Sequence, residues 1–464
     1  MSKEDSLNSV TAVSAVAGAG KTSLLVEICN ATKPKSGLYL AYNKSVATEA
    51  QQRFPKSVSC STTHSLAWRS VVKQYSLKVG NFSYRSMPSS IPYSTRCNIV
   101  DHIRQFCLSE HVDFNHYSDE FELDPKFKSI CNKYLDLMGS GSIECSHDFY
   151  LKMFHILLVN GSIEFPEFDL LALDEAGDLN KVTFEIFKAI KAKRKLMCGD
   201  ASQNIYVFNH TINCFKAVEG TATFFPMSQS FRVSSKIASR IEAFQRKYVD
   251  SNFNFKGIPD DPSMEIKSRA YISSTNSGLI AKMISLNKLD IPYALARKAD
   301  EIFKLPLILM SIKPRGFIGA NEFKFLQTDF DEWNSSRALK LEYKSALAYI
   351  KSEHPHDIQL QTAIGILFTY GSVEVMECYK HAKKHASSKQ SYVLGTAFVF
   401  KGAEFDEVEI APDLNKATGA VLELVSDGVQ FDQLLPEHQA ILNLYYVATT
   451  RARHSLLNAD LLDI

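Results

Sequence analysis

An apolar run over Val10–Ala17 breaks at Gly18 and Gly20 inside the segment AVAGAGKTS (Ala15–Ser23), and helical spacing resumes over Ser23–Asn30. A buried strand that turns through glycines straight into a helix leaves few folds open. The glycines free successive backbone N–H groups to point at an anion, and the helix start adds its positive end. Such a strand needs cover on both faces, which predicts a parallel sheet between helices. The pattern recurs along the chain. Leu38–Tyr42 reads as a second apolar strand followed by a polar helix over Ser45–Arg53, and Leu170–Leu173 and Leu196–Cys198 are further buried strands that end at acidic residues. Chemistry at the carboxyl ends of strands that alternate with helices describes a parallel α/β sheet.

The residues at those strand ends suit a nucleoside triphosphate and a magnesium ion. Ala17, Gly18, Ala19 and Gly20 would line the phosphates, with Ser23 closing the loop. Lys21 would reach the β- and γ-phosphates, and the Thr22 hydroxyl would ligate Mg²⁺. In LDEAGD (Leu173–Asp178), Asp174 would hold the same ion through water and Glu175 would orient or deprotonate the attacking water. CGDASQNIY (Cys198–Tyr206) offers Gln203, a neutral amide able to sense the γ-phosphate. QSFR (Gln229–Arg232) and YYVATTRAR (Tyr445–Arg453) offer Arg232 and Arg451, guanidinium groups of the kind that stabilises charge spreading over a transferring phosphoryl group. KGAEFDEV (Lys401–Val408) completes the set.

Composition excludes more than it selects. Lys+Arg total 52 against Asp+Glu 51, so any nucleic-acid contact has to come from local basic surface. The 9 cysteines include no CxxC pair, which reads as reduced thiols inside a cell. Cys378, His381 and His385 share a helical face, but Lys380, Lys383 and Lys384 around them favour a solvated basic helix over a metal centre. The basic cluster Lys188, Lys191, Lys193, Arg194 and Lys195 reads first as the cationic end of a helix and second as a phosphate-binding strip. Met1–Ser9 is polar, and no run reaches the roughly 18–20 apolar residues of a membrane span. A soluble intracellular protein of cytoplasm or nucleoid is expected.

The ordered set of segments resembles the superfamily 1 DNA helicases of the UvrD/Rep type, and within them the helicase core of the eukaryotic F-box DNA helicase and its phage or bacterial relatives. The resemblance extends to NKSVATEAQQRFP (Asn43–Pro55), STTHSLAW (Ser61–Trp68), LGTAFVFKGAEFDEV (Leu394–Val408) and LNLYYVATTRAR (Leu442–Arg453), and it spans nearly the whole chain. It implies that Phe231 stacks on the adenine and that Glu404 lies near the ribose and γ-phosphate. It also implies that Tyr42, Asn43, His64 and Phe208 face single-stranded DNA, with Phe208 a ring on which a base stacks. The chain departs from the family pattern at Gly177, where a glutamine is usual, and at Phe398, where a DNA-contacting histidine is usual. Asn209 and His210 stand in place of an Arg-Gly pair, and no glutamine motif precedes Ala15.

What the resemblance implies overall is two RecA-like P-loop domains, each with a helical insertion. The first domain would comprise residues 1–68 and 151–222, interrupted by insertion 69–150. The second would comprise 223–304 and 391–464, interrupted by insertion 305–390, and Asp250–Met264 would be a surface loop within it. Such a chain would be an ATP- and Mg²⁺-dependent monomer that moves 3′ to 5′ on single-stranded DNA, opens duplex junctions, and works beside replication or recombination proteins. Two alternatives stay open: a translocase that clears bound proteins without unwinding, and a non-catalytic DNA-binding scaffold of the same fold.

Overall fold

The computed structural model describes residues 10–206, 211–310, 343–355, 357–386 and 390–463. It divides into two units, Met1–Phe231 and Arg232–Ile464, each built on a parallel sheet. The α/β class with two parallel sheets is therefore what the chain adopts.

In the first unit the strands are β1 (Val10–Ala15), β2 (Gly37–Leu40), β3 (Val58–Ser61), β4 (Leu170–Leu173), β6 (Lys195–Gly199) and β8 (Thr223–Met227); β5 (Leu179–Asn180) and β7 (Thr211–Ile212) form a separate antiparallel pair. The sheet runs β3-β2-β4-β6-β1-β8 with every pairing parallel. β2 and β4 are buried at every position, as strands covered on both faces must be. The carboxyl ends of β1, β2, β4 and β6 bring the Gly-rich loop, Tyr42, Asp174 and Asp200 to one edge of the sheet. Helices Tyr93–Leu108, Phe114–Glu120, Pro125–Gly139 and His147–Val159 fill the stretch read as helical, and their apolar faces join the unit's main core through Ile103, Phe106, Tyr134, Met138 and Phe154. Lys195, in the basic cluster, is buried and donates to the Lys188 carbonyl (2.6 Å) near the end of helix Lys181–Ala189, while Lys193 pairs with Asp169. This is the helix-end reading of that cluster.

Two local readings change. Thr223–Met227 pairs with β1 as an edge strand of the first sheet, and the second unit begins at Arg232 rather than at residue 223. The Asp250–Met264 loop contains a short strand, β10 (Lys256–Ile258), paired with β9 (Gln229–Ser234).

The second unit holds β11 (Arg269–Ser273), β12 (Ala294–Leu295), β13 (Tyr392–Thr396), β14 (Phe405–Ile410) and β15 (Ala452–Leu457) in the order β12-β13-β11-β14-β15, again all parallel. Helix Asn276–Lys288 starts where Thr275 caps the Gly278 N–H (3.0 Å) and buries Leu279, Ile280, Met283 and Ile284 against the sheet's core. Helices Lys304–Met310, Tyr343–Glu353 and Ile358–His385 occupy the second helix-rich stretch, the last one interrupted at Gly371. No helix among the described residues is long and apolar enough to cross a membrane.

Candidate active site

Gly18 and Gly20 take φ of 72° and 80°, the left-handed region that a side chain resists, and Gly20 is the N-cap of helix Lys21–Thr32. That turn delivers Lys21 and Thr22 to the acidic end of β4. The Lys21 ammonium lies 3.9 Å from a Glu175 carboxylate oxygen, and the Thr22 hydroxyl donates to Asp174 Oδ2 (3.1 Å). Burial alone would lower the Lys21 pKa, but Glu175, Asp200 and Asp174 around it outweigh that and hold it above its ordinary value. Asp174 is pushed up, first by burial and then by the adjacent Glu175 charge, with Tyr39 and Lys21 pulling the other way. The site thus has more buried negative charge than one ammonium neutralises, a setting that favours a further cation.

The donor set suits that cation being Mg²⁺. Thr22 and Asp174 offer hard oxygens, and among the described residues no three His, Cys, Asp or Glu side chains converge to cage a metal. Mg²⁺ is ordinarily held by one or two protein oxygens together with substrate phosphates and water, so the two residues fit it. Cys378, His381 and His385 lie on helix Ile358–His385 of the second unit. There Asn287 donates to Cys378 Sγ (3.6 Å), and the two imidazoles lie 4.6 Å apart.

Glu175 itself sits at φ 53°, uncommon for a residue with a side chain. Its N–H donates to Asp174 Oδ1 (2.9 Å), and the Tyr39 hydroxyl donates to Asp174 Oδ2 (2.6 Å). The tyrosine is 0% exposed, and burial beside Asp174 drives its hydroxyl pKa far upward, so it remains a donor. Tyr39 was missed from sequence, as was Ser230, whose hydroxyl donates to the Ala17 carbonyl (2.8 Å) and ties QSFR to the Gly-rich loop. With the Phe231 N–H on the Gly18 carbonyl (2.9 Å), this leaves the Phe231 ring 70% exposed and beside Gly20.

Gln203 is buried and donates to Asp200 Oδ2 (2.7 Å). The loop carrying these two residues touches the acidic loop through glycines. A Cβ on Gly177 would meet the Asp200 carbonyl oxygen at 2.3 Å, and one on Gly199 the Ala176 nitrogen at 2.7 Å. The glutamine usual at position 177 does not fit here unless the two loops part. Gly177→Ala is accordingly expected to lower stability by about 1–3 kcal/mol, the usual cost of overpacking. A denaturant midpoint equal to the parent's would refute the close approach.

In the second unit, distant segments also meet. Arg232 Nε pairs with Glu404 (2.7 Å), joining QSFR to KGAEF. Arg451 is 1% exposed: Nε donates to the Val447 carbonyl (2.9 Å), Nη2 to Thr450 Oγ1 (3.0 Å) and Nη1 to the Ala403 carbonyl (3.3 Å). Its guanidinium is thus built into the frame between KGAEF and helix Pro436–Thr449.

Of the residues linked to DNA by resemblance, Tyr42 and His64 line a cavity of about 360 Å³ beside Asp174, together with Arg104, Asp148, Asn180 and Tyr206. The His64 pKa is lowered by burial, against a smaller upward pull from Asp148. Asn43 uses its side-chain oxygen to cap helix Lys44–Arg53 at the Val46 N–H (2.9 Å). Phe398 is half-buried in the turn after β13, and Phe208 lies outside the described residues.

A Gly-rich loop, an acidic pair with Asp174 buried, and a glutamine at one end of a parallel sheet define a P-loop nucleotide-binding unit. Residues 2–209 match the family model described as an AAA domain. Over 97% of its length the chain is 22% identical to F-box DNA helicase protein 1 of Schizosaccharomyces pombe, and over 98% it is 24% identical to F-box DNA helicase 1 of Gallus gallus. Those alignments take in 55% and 48% of the two relatives, so the chain spans about half the length of the curated proteins it matches. The crystal structure of Arterivirus nonstructural protein 10 (helicase) matches 98% of this chain and 60% of that one at 10% identity, with a TM-score of 0.34, a likeness too loose to bear on the site. Residues 2–209 are thus similar to an AAA domain, and nearly the whole chain is similar to part of the two F-box DNA helicases.

Proposed function

We propose that the chain is an ATP-driven DNA helicase that steps 3′ to 5′ along single-stranded DNA. The observation that carries the nucleotide half of this reading is the meeting of Lys21, Thr22, Asp174 and Glu175, from segments far apart in sequence, at the carboxyl edge of one parallel sheet. Glu175 would orient the attacking water, Lys21 would hold the β- and γ-phosphates, and the exposed Phe231 ring would stack on the adenine. Thr22 and Asp174 would hold Mg²⁺, which screens phosphate charge when bound. Gln203, Arg232, Glu404 and Arg451 would report and stabilise the γ-phosphate state. For Arg451 this requires giving up part of its present hydrogen bonding. Residues 69–150 and 305–390 would be insertions in the two RecA-like cores.

The DNA half rests on the two homologues, which are DNA helicases by name, and on the motif resemblance. The reading is supported by Tyr42 and His64 lining the cavity beside Asp174, from which a bound strand would sense the nucleotide site. Phosphate release should rise severalfold when single-stranded DNA is added, and a 3′-tailed duplex should be unwound in preference to a 5′-tailed one. No phosphate release under either condition would favour the scaffold reading. DNA-stimulated release with protein clearance but no strand displacement would favour the translocase.

A further inference from the structure

We propose that Tyr39 is a positioning residue for the divalent cation that accompanies the nucleotide, its hydroxyl fixing the Asp174 carboxylate in the orientation that faces Thr22. The inference rests on the nucleotide-site reading above and assigns a residue that none of the motif segments contains. Tyr39 lies in β2, between Cys60 of β3 and Ala172 of β4 in register, with its ring against Phe54 (4.6 Å between centroids). The same strand also holds the acidic loop by its backbone, since the Asp174 N–H donates to the Leu40 carbonyl (3.0 Å). Asp174 is therefore gripped at main chain and side chain by one strand. Its Oδ1 accepts the Glu175 N–H, and its Oδ2 accepts both Tyr39 and Thr22.

A carboxylate bonded at both oxygens has little freedom to rotate, and the oxygen shared with Thr22 is the one aimed at the helix that carries the phosphate-binding loop. A phenylalanine would fill the same core space against Phe54, so packing alone does not call for the hydroxyl. Burying a hydroxyl is unfavourable unless it is bonded, and here the bond goes to a carboxylate that a cation would need held still.

The test is binding of a fluorescent ADP analogue to the full chain, in EDTA and across a Mg²⁺ series, which reads metal linkage without turnover. In Tyr39→Phe, affinity in EDTA should match the parent while the gain on adding Mg²⁺ shrinks about tenfold, the effect of losing one hydrogen bond to a charged group. In an Asp174→Asn background the Tyr39→Phe change should have no further effect on that gain, because Tyr39 acts through Asp174. An undiminished Mg²⁺ gain in Tyr39→Phe would overturn the proposal. So would an equal loss of affinity in EDTA, which would mark the tyrosine as a prop for the fold. If the parent chain itself shows no Mg²⁺-linked binding, the nucleotide-site reading falls as well, a result distinct from failure at Tyr39 alone.

Discussion

Lys21→Ala should reduce ATP turnover by about a hundredfold or more, measured as phosphate release at saturating nucleotide. The expectation follows from the charge balance of the site. Lys21 is the cation whose pKa Glu175, Asp200 and Asp174 together raise, and its removal leaves those carboxylates facing an incoming triphosphate. Repulsion would then weaken binding, and the γ-phosphate would lose a charged donor in the transition state. Because the side chain is mostly enclosed, bulk salt offers little substitute. Turnover within a few fold of the parent would mean that the loop does not hold phosphate.

Glu175→Gln is expected to separate binding from chemistry. The substitution keeps size and shape but removes the group that would take or orient the water's proton, a contribution of about 10²–10⁴ in rate. ATP should still bind, since Lys21, Thr22 and the loop amides remain, and the fluorescence of a bound analogue should show an affinity near the parent's. Glutamine also tolerates the left-handed backbone at this position no worse than glutamate does, so the fold should be unaffected. Loss of binding would count against the water-orienting role, and retained hydrolysis would remove it.

Much of this molecule was legible from residue order, for an identifiable reason. Buried parallel strands read as continuous apolar runs, so Leu170–Leu173 was located to the residue, and Val10–Ala15 and Lys195–Gly199 nearly so. Motif residues at strand ends inherit that accuracy, and so Lys21, Thr22, Asp174 and Glu175 were found together. Thr223–Met227, placed by sequence at the start of the second domain, shows the converse. An apolar run shows that a strand exists, not which sheet it joins, and this one takes the exposed edge beside β1. Tyr39 was invisible because in GLYL it counts as one more apolar residue, while the partner that gives its hydroxyl a purpose is 135 positions away. Arg451 shows a different limit. Its flanking residues mark it out, yet nothing in them says that its guanidinium is enclosed.

Gly177 and Gly199 give the nucleotide site one more property. Where side chains separate two loops, rotamer changes absorb small displacements, as a loose joint absorbs the first part of a push. Here no side chain stands between the two turns, and the space left is too small for a Cβ. A shift of the acidic turn toward its neighbour would therefore meet the turn bearing Asp200 and Gln203 with little room between them. A side chain at either position would have to wedge the two turns apart.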